Sequence, residues 1–79
     1  MVKKTNNRYA TINKVKELFE IQGNYNTEEE IAENISIGDK QVELVAVKLF
    51  VDKVIHNKYF AVNIENYKLC KDEAKRLFN

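Results

Sequence analysis

The chain has no proline and no tryptophan, two glycines, one cysteine and one histidine in 79 residues. Each scarcity closes a class of explanation. Cys70 on its own forms no internal disulfide, and with His56 as the sole histidine it assembles no zinc cluster. Neither a disulfide scaffold nor a metal site is therefore expected, and a reducing, cytoplasmic setting is. Gly23 and Gly38 stand apart from any glycine-rich phosphate-binding signature. No apolar run approaches the roughly 18 to 20 residues that span a bilayer, so a membrane partner is not expected. The basic start, Met1 to Arg8, leads into no apolar segment with a small-residue cleavage site, and it does not read as a secretory signal. His56 has no nucleophilic Ser or Cys at a recognisable spacing, and Cys70 reads as a small semi-buried residue or helix cap. Catalytic residues, cofactors and an enzymatic role are accordingly not expected.

What is present is a helical grammar. Apolar residues make up 44% and charged residues 32% of the chain, the balance of one globular domain. Ile12, Val15, Leu18, Phe19 and Gln22 recur at helical spacing, predicting a first helix from Thr11, as N-cap, to a left-handed stop at Gly23. Residues 1–10 are then a flexible basic segment and residues 11–79 the folded domain. Tyr25 falls where one edge strand fits. Thr27 and Glu30 form a capping box that opens a second helix, with Ile31, Ala32 and Ile35 as its buried side. Ser36-Ile37-Gly38 turns the chain, and Asp39 or Gly38 opens a third helix. Its stripe is Val42, Val45, Ala46, Leu49, Phe50 and Lys53, and its end lies near Asp52 or Lys53. The period then changes to two over Ile55 to Phe60, and a second strand over Ile64 to Leu69 makes a hairpin turning near Val62-Asn63. A short final helix, Lys71 to Phe78, places Ala74, Leu77 and Phe78 on one face. The expected fold class is α+β.

This order resembles the winged helix-turn-helix superfamily from about Thr11 to Phe78. The resemblance is carried by joint spacing: ten residues from Ala32 to Val42, four from Val42 to Ala46, seven from Val42 to Leu49. Lys53-Val54-Ile55 stands where such domains often have Gly-Leu-Ile before the wing, and Tyr67-Lys68-Leu69-Cys70 resembles the Tyr-Arg-Leu-Thr that closes many wings. Lys53 for Gly and Cys70 for Thr are departures that a regular backbone and a weaker cap accommodate. The resemblance implies a three-helix core, a β-hairpin wing and a short C-terminal helix. It also implies that the third helix enters a DNA major groove while the hairpin meets the backbone or minor groove.

On the third helix the outward positions are then Lys40, Gln41, Glu43, Leu44, Val47, Lys48 and Val51. Lys40 meets guanine acceptors or phosphate, and Gln41 suits adenine. Lys58 and Lys68 on the wing supply phosphate contacts. The DNA-binding set is therefore Lys40, Gln41, Leu44, Lys48, Lys58 and Lys68, in a small transcription regulator acting on double-stranded DNA. Charge pulls the other way. Residues 27–52 hold two basic and seven acidic side chains, whereas residues 53–79 hold six and three, and a phosphate-reading surface should be basic. Leu44, Val47 and Val51 also make a second aliphatic stripe, which favours a protein contact, with a thymine methyl or burial in the monomer as alternatives. A homodimer through that stripe, or through Ala74, Leu77 and Phe78, is expected. The competing expectation is a protein–protein interaction module that binds no DNA.

Overall fold

The computed structural model describes residues 3–23, 27–35 and 38–78. Among them four helices make up the regular structure: α1 (Lys3–Leu18), α2 (Glu28–Ile35), α3 (Lys40–His56) and α4 (Ile64–Phe78). No strand occurs among the described residues. The expected α+β class and the β-hairpin wing are thus overturned, and the reason is local. Asn57 accepts the Phe60 amide at its carbonyl (2.9 Å) and the Tyr59 amide at its side chain (3.0 Å), so the chain turns where a strand was expected. Asn63, assigned to a hairpin turn, is instead a helix cap, its Oδ1 accepting from the Asn66 amide at 2.8 Å and its carbonyl from the Tyr67 amide at 3.1 Å. The helix it opens takes in both the expected second strand and the expected short last helix. Tyr67, Cys70 and Ala74 supply its buried stripe.

The other caps divide in the same way. Thr27 Oγ1 accepts from the Glu30 amide at 3.2 Å and Asp39 Oδ1 from the Gln41 amide at 2.9 Å, so α2 and α3 start where expected. The Glu30 carboxylate takes the Thr27 hydroxyl at 3.2 Å. Thr11 is no cap: α1 begins at Lys3, inside the stretch expected to be flexible, and Thr11 is buried in its interior. The stop of α1 is also displaced. Ile21 N–H donates to the Lys16 carbonyl and Glu20 N–H to that of Glu17, which is the Schellman closure, and Glu20 occupies its left-handed position at φ 54°. Gly23, at φ 97°, lies beyond it. Tyr25 and the Ser36-Ile37 part of the expected turn lie outside the described residues.

The third helix is the centre of the molecule, packed by α4, α2 and α1. Its buried residues are Val42, Glu43, Ala46, Val47, Phe50 and Val51, an arc of about half the helix circumference at 100° per residue. The expected stripe was rotated relative to this arc: Val45, Leu49 and Lys53 are half-buried, whereas Val47 and Val51 are fully enclosed. Burying each of those valines contributes about 1.5 to 3 kcal/mol to the monomer. Phe50 anchors the centre, with Phe60 and Tyr67 packed edge to face against it at 5.8 and 5.5 Å, and Phe19 from the end of α1 meets the Tyr67 ring at 4.8 Å.

Candidate functional site

One acid sits in the core. Glu43 lies on the buried arc of α3 with no exposed surface, and a buried carboxylate persists only when it is paired and hydrogen-bonded. Both partners come from α4, four residues apart and hence on one face: the Tyr67 hydroxyl donates to Glu43 Oε1, and Lys71 Nζ lies 2.7 Å from Oε2. Burial, reinforced by the hydrogen bond to Glu43, pushes the Tyr67 phenol well above its usual range. The trio therefore ties α4 to α3 by a charged contact amid apolar packing.

Tyr67 and Lys71 also form part of an open groove of about 380 Å³. Phe19, just after α1, and Ile35 of α2 line it together with Ile64, Tyr67, Lys68, Lys71, Asp72 and Lys75 of α4. Asn63 caps α4 just before Ile64, which is 41% exposed, and the Schellman closure holds Phe19 at the end of α1. The floor is apolar, and the lysines of α4 fall at i, i+3 and i+7, along one edge. Lys71 turns inward to Glu43, whereas Lys68 and Lys75 make no ion pair among the described residues. Such a surface suits a ligand with an apolar face and negative charge beside it.

The expected DNA-binding residues are dispersed. Lys40 is paired with Glu33 at 3.3 Å and Lys48 with Glu29 at 3.8 Å. Arg8 of α1 reaches Glu28 and, at 3.2 Å, Asp52. Lys40, Gln41 and Leu44 do come together, in a recess of about 180 Å³ that they share with Ala32 and two acids, Glu29 and Glu33. Lys58 and Lys68 lie on no wing: Lys58 sits 5.6 Å from the Tyr59 ring centre in the turn after α3, and Lys68 belongs to the α4 groove. Of the expected self-association residues, Val47, Val51 and Ala74 are inside the monomer core and Leu44 is half-buried, which leaves Leu77 and Phe78 exposed.

His56 ends α3 instead of lying on a strand, with Nδ1 2.9 Å from the Asp52 carbonyl. Cys70 is fully buried, and that burial pushes its thiol up against the opposing influence of Lys53. No group of three His, Cys, Asp or Glu side chains among the described residues is placed to hold a metal ion. No described helix is long and apolar enough to cross a membrane. Sequence reasoning missed the roles of Glu43, Tyr67, Lys71 and Ile64. The signal for three of them lay in reading residues 64–78 as one helix, which sets Ile64, Tyr67 and Lys71 along one side. No protein-family model, curated protein or solved structure matches the chain.

Proposed function

We propose that this protein is a small helical interaction module that receives a segment of another protein in the groove between α4 and the ends of α1 and α2. One observation carries the reading: in this groove an apolar floor opens to solvent beside Lys68 and Lys75, which make no ion pair among the described residues. The surface of α2 and α3 that was expected to read duplex DNA supports that role less, because its cations are already neutralised by neighbouring acids. Phosphates would have to displace those carboxylates and would meet Glu29 and Glu33 in the same recess.

Selection of a displayed library of helical peptides on the folded protein tests this reading, alongside titration of pooled random duplexes at low salt. Enriched peptides should lose binding to an Ile64→Lys variant, checked for folding by circular dichroism, and keep binding to a Lys40→Gln/Lys48→Gln variant. Absence of any enriched peptide would overturn the reading. So would duplex binding that is lost with Lys40 and Lys48.

A further inference from the structure

The charge at the rim of the groove assigns its occupant: we infer that the groove takes an acidic amphipathic helix, with an apolar stripe on Phe19, Ile35 and Ile64 and two carboxylates seven residues apart meeting Lys68 and Lys75. The inference rests on reading the groove as the binding surface and adds the chemistry of what binds there. Seven residues of helix span about 10 Å, so Lys68 and Lys75 present two positive groups two turns apart along α4. Lys71, the cation between them, is already held by the buried Glu43. A helix laid along α4 in either direction repeats the same 10 Å interval between side chains at i and i+7, in the manner of charged pairs that flank an apolar seam.

Two other occupants fit less well. A single small acid satisfies one ammonium and leaves the second, two turns away, unmatched. A nucleic acid backbone supplies repeated charge, but it leaves the apolar floor of Phe19, Ile35 and Ile64 in water. An amphipathic helix covers the floor and matches both cations, which is the helix-in-groove mode of recognition.

The test uses the whole protein and three fluorescent peptides of about five helical turns that share one apolar stripe. They carry two glutamates, two glutamines or two lysines, seven residues apart at its edge. The glutamate peptide should bind about fivefold tighter than the glutamine peptide, the sum expected of two exposed ion pairs, and the lysine peptide more weakly than either. In a Lys68→Gln/Lys75→Gln variant the preference for glutamate should fall to about onefold while the glutamine peptide keeps its affinity. Equal binding of glutamate and glutamine peptides, both abolished by Ile64→Lys, would overturn the acidic occupant and leave the groove as the binding surface. If no peptide binds, the reading of the groove itself is overturned. Duplex binding that depends on Lys68 and Lys75 would reassign the rim to nucleic acid and overturn the inference.

Discussion

The α2–α3 surface and the α4 groove both carry lysines, and they differ in what already holds those lysines. On the first, Lys40 faces Glu33 and Lys48 faces Glu29, with Arg8 nearby between Glu28 and Asp52. On the second, Lys71 is bound to the buried Glu43, while Lys68 and Lys75 have no ion-pair partner among the described residues and lie beside apolar side chains. Two surfaces with similar basic content thus differ in the charge they can offer a partner. Pairing decides that offer more than the count of basic residues does, because a cation in an ion pair must give up one partner to gain another.

The largest effect is expected at Glu43. Lys71→Met leaves the carboxylate buried without its cation, and stability should fall by about 3 kcal/mol, since an uncompensated buried charge is costly. Adding Glu43→Gln should recover about 2 kcal/mol of that, because a neutral amide oxygen still accepts from Tyr67. Urea unfolding of the two variants measures both. Next is the phenol. Tyr67→Phe removes a hydrogen bond to a charged acceptor and should cost about 2 kcal/mol. The phenol also has a pH signature. Its pKa is raised in the folded state by burial and by Glu43, so the native protein keeps a proton that the unfolded chain releases. This contribution to stability is full below about pH 10 and declines as pH rises beyond it. Unfolding free energies measured on either side of that pH should fall less in Tyr67→Phe than in the wild type.

Two smaller effects are expected at the α1 stop and on the α2–α3 surface. Glu20 occupies the left-handed position of the α1 stop at φ 54°, beside the Phe19 wall of the groove. Glu20→Gly should raise the stability by about 0.5 to 1 kcal/mol, read as a higher midpoint in urea, because glycine adopts that conformation without a Cβ penalty. Lys40→Gln and Lys48→Gln should each cost about 0.5 kcal/mol or less, and the cost should vanish near 1 M salt, as befits exposed pairs. A much larger loss at either position would mean that the α2–α3 ion pairs hold the fold together as the Glu43 trio does.

The contrast was half legible in the sequence. Thr27 and Asp39 announced the starts of α2 and α3, because a hydroxyl or carboxylate before an apolar period has a local hydrogen-bonding reason to be there. Ile31, Ala32, Val42, Ala46 and Phe50 were readable as core from their spacing. The hairpin failed because windows of about six residues fit a period of two as readily as one of 3.6. With neither Gly nor Pro between residues 55 and 79, the continuous stripe of Tyr67, Cys70 and Ala74 and the cap at Asn63 were the better signals. Val47 and Val51 were placed on the outside because both flanks of α3 are aliphatic, and which flank is covered depends on α4. Glu43 was hidden for the same reason. An acid becomes a plausible core residue when Tyr67 and Lys71 are known to share a helical face 24 and 28 residues away. The groove is lined by α2, α4 and the turn after α1, so its shape was beyond local patterns.

Mapping backbone amide chemical shifts during titration with the two-glutamate peptide, and separately with duplex DNA, separates binding at the α4 groove from binding at the α2–α3 surface. The peptide should move the resonances of Phe19, Ile35, Ile64, Lys68 and Lys75 while those of Lys40, Gln41 and Lys48 stay in place, and the duplex should produce no saturable change. Saturable shifts centred on Lys40, Gln41 and Lys48 with a still groove would contradict binding at the α4 groove.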